Sequence, residues 1–158
     1  MISIRSAKPE DVPKLVILLK ALFAIEADFN FNPDKQSQGL LLLVNSDKAY
    51  VLVAETSEDK KLRGMCSLQI LISTAEGGPV GLLKDLIVAT DFRYQSIATK
   101  LLAKAFMWAE QRGLKRLQLL ADKNNAPVLY FYGRQRWQST QLICLKQMLK
   151  RIGYSSEP

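Results

Sequence analysis

Apolar residues first recur at helical spacing at Val12, Leu15, Leu18, Leu19 and Leu22. That period predicts a helix running to residue 25, entered through Pro9 with Glu10 and Asp11 in its first turn. A short strand at residues 2–5 precedes it. Residues 26–33 mix carboxylates with aromatics and break the period, and residues 34–44 predict a second helix despite Gly39. After the turn Asn45-Ser46-Asp47 the pattern changes. Residues 50–55 and 63–73 read as antiparallel strands joined by the polar hairpin loop Ser57-Glu58-Asp59-Lys60-Lys61. Glu76-Gly77-Gly78-Pro79 then turns the chain into a largely apolar strand ending at Val88. Helical spacing returns over residues 95–112, with Ile97, Leu101, Ala105 and Trp108 on one side and Ala98, Leu102 and Ala109 beside it. Phe106 and Trp108 are expected in the core, and Gly113 closes the helix as a C-cap. Residues 116–121 predict a buried strand, 125–135 a short helix, and 138–149 a final strand or hairpin arm.

The length of 158 residues fits one domain, taken as residues 1–149 with a polar tail at 150–158. The longest apolar run, residues 40–44, is far too short to span a bilayer, so no membrane partner is expected. The first residues, Met1-Ile2-Ser3-Ile4-Arg5, lack the apolar core of a signal peptide, and a cytoplasmic address is expected. Cys66 and Cys144 lie in apolar, strand-like segments without metal-ligand spacing and read as buried free thiols. The chain has no histidine, which excludes histidine triads, histidine bases and most catalytic zinc sites, so no metal is expected. Acid–base work must fall to carboxylates, tyrosine, lysine, a terminus or water. The net charge of +7 suits an anionic cofactor, but nucleic acid would satisfy it too. Nucleic acid is the weakest reading, because Arg112, Lys115, Arg116, Lys123, Arg134 and Arg136 are scattered and carry no recognised motif.

The stretch around which the chain is organised is Leu82-Leu83-Lys84-Asp85-Leu86-Ile87-Val88 followed by residues 89–102. It reads as strand, turn and helix. A helix start presents backbone N–H groups without intrahelical partners and a partial positive charge, a ready site for phosphate. Arg93, Lys100 and Lys104 add full charges.

Leu86-Ile87-Val88, then Arg93-Tyr94-Gln95-Ser96-Ile97-Ala98, then Leu101-Leu102 resemble motif A of the GNAT family of acyl-CoA-dependent N-acyltransferases, Arg/Gln-x-x-Gly-x-Gly/Ala after a strand ending Leu-x-Val. Ser96 stands where the family has its central glycine, and Tyr94 where a second glycine is common. A second segment, Asn125-x-x-Val128-x-x-x-Tyr132-x-x-x-Arg136-Trp137, is similar to the family's Asn-x-x-Ala-x-x-x-Tyr-x-x-x-Gly-Phe, with Arg136 departing from the glycine. The resemblance implies an α/β (α+β) GNAT fold, a mixed central sheet of about six to seven strands flanked by about four helices.

It also implies the chemistry: transfer of an acetyl group from acetyl-CoA to a primary amine, on a small molecule or a protein, by direct attack. By resemblance, backbone amides from Arg93 through Tyr94, Gln95, Ser96 and Ile97 to Ala98 would hold the pyrophosphate, with Thr99 nearby. The pantetheine arm would pair with backbone at Leu86, Ile87 and Val88, and Asn125 matches the asparagine near that arm. Tyr132 matches the tyrosine facing the CoA sulfur; the alternative is an aromatic cluster of Tyr130, Phe131 and Tyr132. Many members carry a glutamate where Lys84 lies here, and the adjacent Asp85 is expected on the opposite face of its strand. Asp85, Glu26 and Asp28 stay open as bases, beside a water relay. An alternative class is a GNAT-like regulatory or interaction module with weakened CoA binding, to which Ser96, Tyr94, Lys84 and Arg136 point. The last strand offers an edge for a homodimer.

Overall fold

The computed structural model describes residues 1–26, 28–93 and 96–149. The chain divides into two compact units, Met1–Leu119 and Leu120–Pro158. The first holds a five-stranded sheet in the order β1-β2-β3-β4-β5, made of β1 (Ile2–Ser6), β2 (Ala49–Thr56), β3 (Leu62–Ser73), β4 (Gly78–Val88) and β5 (Leu117–Leu119). β1 to β4 pair antiparallel, and β5 joins β4 in parallel through Gly81–Leu83 only. Helices α1 (Val12–Ile25) and α2 (Pro33–Val44) pack against the sheet, as does α3 (Ile97–Gln111).

Period-two alternation sorts the strands between two cores. Val51, Val53, Met65 and Ile87 face Leu15, Val16, Leu19 and Leu22 of α1 and Leu40 of α2. On the other face α3 buries Ile97, Leu101, Leu102, Ala105, Trp108 and Ala109, and Trp108 stacks on Tyr50 with ring centroids 4.8 Å apart. Phe106, expected in the core, is exposed instead. It lies about 100° round the helix from Ala105, off the apolar stripe. The Gly113 cap forms as expected. With φ at 70°, it lets Gly113 N–H reach Glu110 O (3.1 Å) and Leu114 N–H reach Ala109 O (3.0 Å).

Entry to α1 is fixed by a charged cluster. Arg5 of β1 donates to both oxygens of Asp11 (2.8 and 3.1 Å) and to Glu55 of β2 (2.7 Å), while Asp11 Oδ2 also accepts the Lys8 N–H at 2.8 Å. Arg5 holds both carboxyls below the usual carboxylate range. Asn32 starts α2 by accepting the Lys35 N–H at 3.2 Å.

The second unit contains α4 (Ala126–Arg134) and, among the described residues, no strand. The sheet therefore has five strands against the six to seven expected, and residues 138–149 form neither the final strand nor the hairpin arm. Their alternation fails at adjacent Leu142 and Ile143, and both are exposed. An extended segment becomes a strand only when a neighbour completes its hydrogen bonds. Cys144 in this segment is exposed, correcting the expectation of a buried thiol, whereas Cys66 on β3 is buried. The expected tail at 150–158 lies outside the described residues.

Candidate functional site

Beyond Leu83 the regular pleat of β4 is interrupted. Met65 pairs with Ile87 but Ser67 pairs with Lys84, so Cys66 alone faces the two residues Asp85 and Leu86. This is a β-bulge. Asp85 carries the irregularity with φ at 56°, in the left-handed region that aspartate tolerates better than most side chains. The bulge shifts the parity of the strand, so Lys84 and Ile87 share a face.

Two polar groups meet at the bulge. Ser67, almost fully buried, donates its hydroxyl to Lys84 O at 3.3 Å, beside the Asp85 carboxyl. Burial raises the pKa of the half-buried Asp85, against lowering by the Lys84 charge and the Ser67 hydroxyl. Burial, together with the nearby Asp85 charge, pushes the Cys66 thiol up to about 12. Cys66 is thus inert as a nucleophile.

The bulge also marks where β4 loses its second neighbour. β5 pairs only with Gly81–Leu83, and among the described residues no strand pairs with Leu86, Ile87 or Val88 on that side. Val88 O accepts from Arg93 Nε, and the remaining backbone groups of that edge have no strand partner among the described residues. Such an arrangement can take an extended ligand. A 3-10 turn, Thr90–Phe92, follows. Arg93 is exposed, with its Nε 3.5 Å from Val88 O. α3 begins at Ile97 rather than near Gln95, and Ser96 is its N-cap residue, with φ 61° and ψ 17°. Ile97 is buried under the helix start, Ala98 is half-buried, and Thr99, Lys100 and Lys104 are exposed. Tyr94 and Gln95 lie outside the described residues.

Asp85, Leu86, Ile87 and Val88 therefore lie on β4, Arg93 follows the 3-10 turn, and Ser96, Ile97, Ala98 and Thr99 lie at the start of α3. Glu26 is the C-cap of α1, its N–H bonded to Leu22 O at 3.1 Å, and Asp28 follows it, exposed. Asn125 and Tyr132 belong to the second unit. There Asn125 caps α4 by accepting the Val128 N–H at 3.2 Å. Tyr132 is half-buried and meets Trp137 edge-on, ring centroids 5.8 Å apart. The Phe131 ring lies 5.3 Å from that of Tyr132, also edge-on.

Some residues that shape this region carry no signal in the sequence. Arg63, 29 residues before Phe92, places its guanidinium over that ring, the Cζ atom 4.1 Å from the centroid. Gly64 beside it leaves room for α3: a Cβ there would meet Ile87 O at 3.1 Å, Ile97 Cγ2 at 3.2 Å and Leu101 Cδ1 at 3.3 Å. The bulge did leave a trace, since two adjacent polar residues, Lys84 and Asp85, interrupt an apolar strand.

Residues 19–136 match the model of the acetyltransferase (GNAT) family. The chain belongs to that family. GNAT membership makes it an acetyltransferase by class, and its mixed α/β architecture agrees with the solved relatives. It is 24% identical to an aminoglycoside acetyltransferase from an uncultured soil metagenomic sample, TM-score 0.75, covering 94% of this chain and 97% of that one. A possible acetyltransferase from Clostridium difficile 630 is 15% identical with TM-score 0.81, covering 95% and 99%. A predicted acetyltransferase from Clostridium acetobutylicum, solved with acetyl-CoA, is 21% identical with TM-score 0.73, covering 92% and 96%. At these identities the likeness is one of fold. No curated protein matches the chain in sequence. Among the described residues no helix is long and apolar enough to cross a membrane.

Proposed function

We propose that residues 1–149 act as one N-acetyltransferase domain that passes an acetyl group from acetyl-CoA to a primary amine by direct attack. The observation that carries this reading is the open edge of β4 at Leu86–Ile87–Val88 leading, through Arg93, to the N-terminus of α3. An extended amide-bearing arm fits the first, and a pyrophosphate fits the second. When bound, acetyl-CoA supplies the acetyl group as a reactive thioester.

The residues divide the remaining work. Backbone at Leu86, Ile87 and Val88 holds the arm, and a backbone N–H near Val88 polarises the acetyl carbonyl. Arg93, Tyr94, Gln95, Ser96, Ile97, Ala98 and Thr99 hold the phosphates, and Asn125 assists at the arm. A carboxylate takes the proton that the amine must lose. Asp85, at the bulge beside Leu86–Val88 and with its pKa raised by burial, is placed for this, and Glu26 at the end of α1 is the other candidate. Tyr132 donates its phenolic proton to sulfur as the C–S bond breaks. The acceptor is a small-molecule or protein amine.

Calorimetric titration with acetyl-CoA, with CoA as comparison, tests the reading. Micromolar saturable binding followed by transfer to a member of an amine panel supports it. Tyr132→Phe should keep binding and lose about 10²–10⁴-fold in turnover, the usual range for a proton-transfer group. Unchanged turnover would remove Tyr132 from the chemistry. Ser96 in place of glycine favours one other reading, an interaction module with weakened CoA binding. No heat at millimolar acetyl-CoA would select it.

A further inference from the structure

We propose that Arg63 of β3 is a positioning residue for the acyl donor, clamping Phe92 and with it the connector that leads into α3. The inference rests on the transferase reading above, and it concerns residues outside the family's motif.

The guanidinium is itself held in place. Its Nη2 donates to Asp59 Oδ2 at 2.6 Å and its Nε to the Thr56 hydroxyl at 3.3 Å. Thr56 is buried, and its hydroxyl also bonds Asp59 and, at 3.2 Å, Lys61 O. The β2–β3 hairpin loop thus fixes the plane of the guanidinium over Phe92, 4.1 Å from the ring centroid. The backbone adds a second tie: Ala89 N–H donates to Arg63 O at 2.7 Å, and Phe92 N–H donates back to Ala89 O at 2.9 Å. Arg63 therefore grips the 3-10 turn by side chain and main chain together.

Its neighbour holds the other end of the connector. Gly64 admits Ile97 and Leu101, the first turn of α3, to a distance that a Cβ would make too close. Two consecutive residues of β3 thus fix the turn before Arg93 and the helix after Ser96. Between them lies a serine in the left-handed region, a conformation that costs an L-residue energy and that glycine would adopt freely. Ser96 must have that conformation imposed from outside. Arg63 and Gly64 impose it, so the helix-start amides are set before a phosphate arrives.

The test is calorimetric titration of the full chain with acetyl-CoA, using Arg63→Met, Phe92→Leu and the double variant. Each single change should raise Kd by about three- to tenfold, the range for a fixed cation–π pair. The double variant should be no weaker than the poorer single, because both changes break one contact. In steady state the loss should fall on the KM for acetyl-CoA and leave kcat nearly unaltered. Arg63→Lys, which keeps a cation, should restore part of the affinity. An unchanged Kd in both single variants, or additive losses in the double, would overturn the clamp and leave the transferase reading standing. An unaltered protein that takes up no acetyl-CoA would instead overturn the transferase reading. Amide exchange then decides the clamp. Faster exchange at Ala89, Phe92 and Arg93 in either variant supports it, and unchanged exchange overturns it.

Discussion

Among the described residues of the candidate site, Ser96 and Asp85 have backbones in the left-handed region, with φ of 61° and 56°. Ser96→Gly should remove about 1 kcal/mol of strain, partly offset by the greater freedom of glycine in the unfolded chain. The urea midpoint should rise slightly; a fall would mean that the serine side chain holds the turn. Asp85 should show itself in the pH profile. A base whose pKa is raised by burial is idle until pH passes that raised value, so the acidic limb of kcat/KM should lie above the ordinary range near 4. Asp85→Asn should abolish that limb along with most activity. If the limb persists, Glu26 or a water relay is the base. The bulge at Asp85 was half legible: adjacent Lys84 and Asp85 break the apolar run, but alternation alone predicted opposite faces and gave no hint of the parity shift. Contacts such as Arg63 with Phe92 depend on strand register and leave no local trace in a single sequence.

At the scale of elements, periodicity located α1, α2, α3 and the strands β1 to β4 closely, because each has one apolar face to bury. By contrast α4, which buries none of its residues, was marked by the Asn125-Ala126-Pro127 start. Periodicity failed at residues 138–149. Apolar content there suggested a strand, but pairing decides a strand, and a sequence does not state its partner. The packing of α3 on β3 gives a sharp element-scale prediction. Gly64→Ala should destabilise the protein by about 1–3 kcal/mol, since the new methyl meets backbone at Ile87 and two buried side chains. Denaturant unfolding measures it. A neutral result would mean that α3 slides freely over the sheet, contrary to its close approach.

For the molecule as a whole, the Arg5 cluster ties stability to pH. Asp11 and Glu55 have folded-state pKa values below their unfolded ones, so their contribution is present above the unfolded values and is lost as pH falls through the folded ones. Asp85, shifted the other way, contributes at low pH and loses that contribution as pH rises through its folded value. Melting temperature should therefore fall steeply below pH 4, and Arg5→Met should flatten that fall while lowering the melting point at pH 7. An equally steep fall in the variant would place the acid sensitivity elsewhere. The contrast between the two thiols has a practical consequence for assays. Coloured disulfide reagents that count released CoA also count protein thiols, and this chain contributes one accessible cysteine, Cys144, and one sealed at the bulge, Cys66. Native protein should therefore consume one equivalent of reagent and denatured protein two. Cys144→Ser would give a blank background, against which slow appearance of the single Cys66 equivalent would time the opening of β3 from β4.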